Sequence, residues 1–176
     1  MAKRVIKGKL SVSGIENMKK ELLAYKNDEL RQKTELLIMR LAEIGVEVAN
    51  KKVSESPLGK TANVTFKLSG ATATIIASGE IKKVSGREPF NTILAIEFGA
   101  GIHYNNGDKH PDADKLGLGV GTFPGQIHAF EDGWYYWDEK LEKWRYTHGV
   151  KATMPLHEAE KEIILKALKV AREVFR

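Results

Sequence analysis

The segment Ile102 to Asp114 (IHYNNGDKHPDAD) holds two histidines, His103 and His110, and three aspartates, Asp108, Asp112 and Asp114. Imidazole nitrogens and carboxylate oxygens are the ligands that hold a divalent metal and activate a bound water. On that chemistry the loop 103–114 would serve a small metal-dependent hydrolase, a nuclease or a peptidase. The spacing does not favour it. The two histidines stand seven apart rather than as the four-residue pair of a zinc helix, and Asp112-x-Asp114 lacks the glycine and the terminal glutamate of a calcium loop. A polar surface loop is the ordinary reading, and no metal or other cofactor is expected. His157-Glu158 opens like the zinc-binding H-E-x-x-H, but position 161 is Lys161. Both residues therefore read as first-turn surface groups, with Glu158 favoured by the helix dipole. Gly117-Leu118-Gly119-Val120-Gly121 could cradle phosphate if a helix followed it. Thr122-Phe123-Pro124 follows instead. There is no Ser-His-Asp set, and there are no cysteines, which removes disulfides, thiolate metal sites and cysteine nucleophiles. The chemistry-bearing residues point to a non-enzymatic domain.

A second cluster is aromatic. In residues 133–148 (GWYYWDEKLEKWRYTH), Trp134, Tyr135, Tyr136 and Trp137 are consecutive, and Trp144 and Tyr146 follow. The pattern reads as a β-hairpin with Trp134 and Tyr136 on one face and Tyr135 and Trp137 on the other. Such rings could stack on bases in a nucleic-acid-binding module. The interleaved Asp138, Glu139, Glu142, Lys140, Lys143 and Arg145 nearly cancel in sign, whereas a nucleic-acid platform is basic. Core packing on one face and subunit contact on the other is the better reading.

The charge balance is +5 over 176 residues, from 28 Lys and Arg against 23 Asp and Glu. Lys3, Arg4, Lys7 and Lys9 supply most of that excess, in an N-terminal arm over 1–14. Such an arm can touch phosphate, or simply be a solvated terminus. It lacks the apolar run of a signal peptide, and no stretch approaches the ~20 apolar residues of a membrane span. A cytoplasmic product with no membrane contact is expected. The chain is long enough for one core, burying roughly two-thirds of its unfolded surface.

Two helices are expected first. Ile15, Met18, Leu22 and Tyr25 predict a short one over 15–26, broken at Asn27-Asp28 with Asp28 capping the next. Leu30, Thr34, Leu37, Leu41, Ile44 and Val48, widened by Ile38 and Ala49, predict a core helix over 29–53. Gly45 interrupts it at about 1 kcal/mol relative to Ala, a choice that close packing would explain. Ser54 to Lys60 is a loop. Val64, Phe66 and Leu68 then alternate, and a Ser69-Gly70 turn leads into a second strand over 71–77. Ile81 to Val84 continues the sheet, and Ile93 to Phe98 (ILAIEF) reads as a further strand closed by Gly99. Residues 99–125, with seven Gly and two Pro, form a long loop. Pro155 starts a last helix with Leu156, Ala159, Ile163, Ile164, Ala167, Leu168, Ala171, Val174 and Phe175 on one broad face. The order predicts an α+β fold, an antiparallel sheet packed against a long N-terminal and a C-terminal helix. It makes 15–176 one domain, with a Gly/aromatic insertion at about 99–148.

The order of short motifs carries a resemblance. Ser56-Pro57-Leu58-Gly59-Lys60 follows the long helix and precedes a hairpin. Then come Ala95-Ile96-Glu97-Phe98-Gly99, the Trp-rich segment, Thr147-His148-Gly149 and Ala152-Thr153-Met154-Pro155 before the closing helix. Over residues 15–176 this resembles the tail-completion (neck, or head–tail joining) proteins of long-tailed phages, the gene-10-like morphogenesis family. The loop reads Leu58-Gly59 where that family prefers Thr-Gly. Leu156-His157-Glu158 stands where a second Pro and a Phe are usual. The resemblance implies a non-catalytic virion protein of the head–tail junction, assembled in the host bacterial cytoplasm. It implies a homo-oligomeric ring, commonly six-fold, through which DNA passes, with other neck and tail-tube or tail-terminator proteins as partners. The candidate interface residues are then Trp134, Tyr135, Tyr136, Trp137, Trp144 and Tyr146, and the DNA-proximal ones Lys3, Arg4, Lys7 and Lys9.

Overall fold

The computed structural model describes residues 11–82, 89–101, 109–120, 133–138 and 141–176. Helix α1 (Val12–Ala24) starts three residues before the expected point, because the Ser11 side chain accepts the Gly14 N–H and caps it. The expected break at Asn27-Asp28 does not occur. The chain passes through a π-helical turn (Tyr25–Glu29) directly into α2 (Leu30–Ser54), with right-handed helical backbone at both joints. A turn of i→i+5 bonds takes up one extra residue without ending the helix, so Asp28 caps nothing.

The buried line on α2 is Ala42, Gly45, Ala49 and Val53. It lies beside the expected leucine stripe, and Leu37, Leu41, Ile44 and Val48 flank it half-buried. Small residues take the centre because α5 (Pro155–Phe175) and a hairpin close in there. A Cβ on Gly45 would come within 2.6 Å of Ile163 Cδ1 and 2.8 Å of Ile75 Cδ1.

After a 3-10 turn (Gly59–Thr61), β1 (Ala62–Ser69) and β2 (Thr72–Gly79) form an antiparallel hairpin, with Ser69 opposite Thr72. The turn is thus Gly70-Ala71, one residue later than expected, and Gly70 supplies its positive φ of 56°. Asn50 of α2 pins β1 as a neighbouring strand would. Its Nδ2 donates to Val64 O at 2.8 Å, and its Oδ1 accepts the Val64 N–H at 3.0 Å.

The strand β3 (Ile81–Lys82) pairs with β4 (Phe90–Asn91) rather than extending the first hairpin; residues 83–84 lie outside the described residues. The expected strand at Ile93–Phe98 is instead a helix, α3 (Thr92–Phe98). Six apolar residues fit a buried strand or a buried helix equally well. Local capping decides, since Asn91 Oδ1 accepts the Ile93 N–H, and Gly99 ends the helix at φ 78°.

Further on, β5 (Ala100–Gly101) runs parallel to β6 (Gly119–Val120), with the single turn α4 (Ala113–Leu116) before it. The hairpin β7 (Trp134–Asp138) and β8 (Lys143–Thr147) forms as expected. The fold is α+β. Its core joins Ala49, Val53, Val64, Ile93, Ile96 and Ala159, from α2, β1, α3 and α5.

Candidate functional site

Two places concentrate polar or aromatic chemistry. The first is the junction of α3 with α5. Met154, the residue before α5, is buried at φ 52°, a left-handed conformation rare without glycine, and its side chain caps nothing. The orphan amides of the helix start are served from α3. The Glu97 carboxylate, 4% exposed, accepts the Leu156 N–H at 2.8 Å and the His157 N–H at 3.1 Å. A carboxylate there also suits the positive end of the helix dipole. Alongside, Thr153 N–H donates to Ile96 O at 2.9 Å.

His110 completes this junction. It is 7% exposed, and its Nε2 lies 3.2 Å from Glu97 Oε1. Its Nδ1 accepts the Asp112 N–H at 3.1 Å, so Nε2 carries the proton facing Glu97. The ring packs on Phe98, with centroids 4.4 Å apart, and edge-on to His157 at 5.2 Å. His110 and His157 therefore depart from the sequence reading. His110 is not part of a surface loop, and His157 is half-buried rather than a free surface group. Solvation loses here to a buried acceptor that needs donors. An open cavity of about 300 Å³ adjoins the two rings and is lined by Glu97, Asp112 and Glu160 as well as by Ala77, Ile93 and Leu156.

The remaining candidate ligands are dispersed. Asp114 pairs with Lys109, and Asp112 with Lys115 at 2.7 Å. The Lys115 ammonium holds the Asp112 carboxyl below the usual carboxylate range. Glu158 is lowered likewise by its hydrogen bond from Lys161. Among the described residues, no group of three or more His, Asp or Glu side chains is placed to hold a metal ion. His103 and Asp108 lie outside the described residues, as do Lys3, Arg4, Lys7 and Lys9. Gly117 closes α4 at φ 63°, and Gly119-Val120 is a strand rather than a helix start, with Gly121 outside the described residues.

The motif segments noted in the sequence meet at α3. Leu58, from the loop after α2, packs on the core that holds Ile93 and Ile96. Thr92 Oγ1 donates to Thr61 O at 3.3 Å. Past Thr147-His148-Gly149, Val150 bridges Ala100, just beyond the Gly99 turn. Glu97 reaches the helix that Pro155 begins. Sequence reasoning gave Glu97 no role beyond its motif. Its signal was a lone acid inside an apolar run.

The second place is the β7–β8 hairpin. Tyr135 stands opposite Tyr146, and Trp137 opposite Trp144. Each pair meets edge to face, with centroids 5.0 and 5.7 Å apart. These four share one face, and 37 to 65% of each is exposed. Trp134 and Tyr136 hold the register positions opposite Thr147 and Arg145. Asp138, opposite Lys143, also pairs with Arg145 at 3.3 Å. By strand alternation these charges stand on the opposite side of the hairpin from the four rings. Among the described residues no helix is long and apolar enough to cross a membrane. Compared with known proteins, the chain matches no family model, and no curated protein or solved structure is significantly similar to it.

Proposed function

We propose that this chain is a structural subunit of the head–tail junction of a long-tailed phage, a tail-completion or neck component without turnover. It would assemble as a homo-oligomeric ring, six-fold as is common in the family it resembles, and let DNA pass without sequence readout. The virion is then its destination, and neck and tail-tube or tail-terminator rings are its neighbours. The observation that carries this reading is the aromatic face of Tyr135, Trp137, Trp144 and Tyr146. Paired rings left in water mark a contact surface, and a centrally buried Tyr or Trp contributes about 2 kcal/mol or more to an interface. A closed ring requires two different patches on each subunit, and this face supplies one. The convergence of the motif segments on α3 supports the same reading, because it gives the ordered motifs a shared packing role.

The experiment replaces Tyr135 and Trp137 together by Ala. Circular dichroism should report a folded subunit, while electron microscopy should show free heads and free tails. Normally joined, infectious particles from this double variant, or a single copy of the chain per virion, would overturn the proposal.

A further inference from the structure

Among the described residues, the hairpin β1–β2 leaves one edge unpaired. Asn50 binds both the N–H and the C=O of Val64, so the Val64 backbone points away from β2. Its register partner Ala77 then points away from β1, because both members of such a pair turn their amides outward. By the period of two, Ile75 and Ala73 do the same. No described residue hydrogen-bonds the backbone of Ala73, Ile75 or Ala77 on that side. Farther along, the lane beside this edge is taken: Glu80 N–H still bonds Thr61 O, and β3 carries β4. Thr72 to Gly79 holds no charge, proline or bulge of the kind that guards an open edge.

The same edge borders the cavity at the α3–α5 junction. Ala77 lines it, and Leu94 and Leu156, 44 and 37% exposed, form its walls. Cross-strand neighbours share a face, so a side chain laid opposite Ala77 enters this cavity. Its charged lining among the described residues is Glu97, Asp112 and Glu160, with no Lys or Arg. A row of outward amides beside an apolar pocket suits an added strand: main-chain bonds hold it, and the pocket selects a side chain.

We propose that the N-terminal arm of a second copy adds to β2 as a third strand, with Ile6 in the cavity. The β-branched pair Val5-Ile6 suits a strand. Arg4 and Lys7 flank that pair, with charge opposite to the carboxylates of the cavity. The arm of the same copy cannot reach. Ser11 begins a helical rod, and Gly45, which packs on Ile75, lies about 50 Å along it at the helical rise. Ile6 stands within about 18 Å of Ser11 even when the chain is extended. An arm on one copy and an edge on the next make a heterologous contact, which repeats from subunit to subunit. The proposal deepens the ring reading above, names one junction of that ring, and rests on it for closure.

The test reads amide exchange of the full chain, residue by residue, by NMR after quenching, so that particle size does not matter. As concentration rises, the Ala73, Ile75 and Ala77 amides should slow by about tenfold or more, while Val64, already held by Asn50, stays unchanged. Ile6→Pro removes a donor from the arm. Ala73→Pro removes one from the edge without touching a β1–β2 bond. Each alone should abolish the slowing. When ¹⁵N-labelled Ile6→Pro chain is mixed with unlabelled Ala73→Pro chain, the labelled edge should slow again, because an intact arm then meets an intact edge. Glu160→Lys, an exposed change that leaves the hairpin untouched, should weaken the slowing several-fold. Edge amides that exchange equally fast at every concentration up to the solubility limit overturn the proposal, as does slowing that survives Ile6→Pro. Duplex DNA binding that needs the arm, with the edge never slowed, also overturns it and gives the arm to phosphate. Particle imaging judges the ring separately: an unslowed edge in joined particles removes this junction and leaves the ring, whereas a slowed edge in a chain that forms no ring keeps the junction.

Discussion

Replacing Glu97 by Ala removes the carboxylate that ties α3 to the first amides of α5. The carboxylate is 4% exposed and receives two amide donors, at 2.8 and 3.1 Å. Hydrogen bonds to a charged partner each contribute roughly 1.5–3 kcal/mol. They share one carboxylate, so the sum is not additive, and some of the loss is recovered if water enters beside His157. His110 Nε2, 3.2 Å away, would also lose the group it faces in a buried site. Each donor left unsatisfied in a buried site costs about 1–3 kcal/mol, so a non-additive total of about 3 kcal/mol is expected. For a chain of this length, each kcal/mol shifts the Tm by about 2–4 °C, so a drop on the order of 10 °C is expected. Urea unfolding followed by circular dichroism should show a lower midpoint with an unchanged slope. Glu97→Gln keeps one acceptor but turns an NH₂ toward an N–H donor, and should lose about half as much. A cycle with His110→Ala should reveal coupling, because the two groups adjoin. If Glu97→Ala costs less than about 1 kcal/mol, the start of α5 does not depend on α3, and the reasoning fails.

Gly79→Ala should destabilise by about 2 kcal/mol or more in the same assay. The added Cβ would sit 2.5 Å from the backbone nitrogen of Ile93, and backbone cannot swing aside as a side chain can. Gly45→Ala gains about 1 kcal/mol of helix propensity and crowds only the side-chain ends of Ile163 and Ile75, so its net change should stay within about 1 kcal/mol, while the bulkier Gly45→Val should destabilise by about 1–3 kcal/mol. Deleting residues 2–9 should change stability by less than about 1 kcal/mol, since Ser11 keeps its cap on α1. A larger loss, read from the urea midpoint, would mean the arm is an integral element. Lys161→Met should raise the Glu158 pKa, seen in an NMR titration, because the Lys161 hydrogen bond is the main cause of its lowering. A lowered folded pKa means that this pairing favours the fold above the ordinary carboxylate range and is lost as pH falls through the lowered value. An unchanged Glu158 titration in Lys161→Met would refute the assignment.

Much of the architecture was legible in the chain. The long helix over 29–53, the first hairpin and the aromatic hairpin follow from periods of 3.6 and 2. These signals are local and strong, and the α+β class follows from their order. Two local readings failed where competing signals were weak. Asn27-Asp28 resembles a break, yet a helix can absorb such a pair through a π-turn. Ile93–Phe98 has no period that separates strand from helix, and Asn91 settles it one residue upstream.

The sequence alone determined which residues carry rings and charge, and that cysteine chemistry is closed to this chain. Tertiary structure decided what those residues face. Glu97 and His110 are 13 positions apart in sequence and His157 lies farther on, yet packing sets them against one another. Helical and strand periods give each side chain a direction relative to its own element. They give no information on which element stands opposite. That is why α2 buries Gly45 and Ala49 in place of its leucine stripe, and why Ile164 and Leu168 of α5 face outward. The close approach of α5 to α2 is satisfied by small residues, and a helix can bury only the side its neighbour reaches.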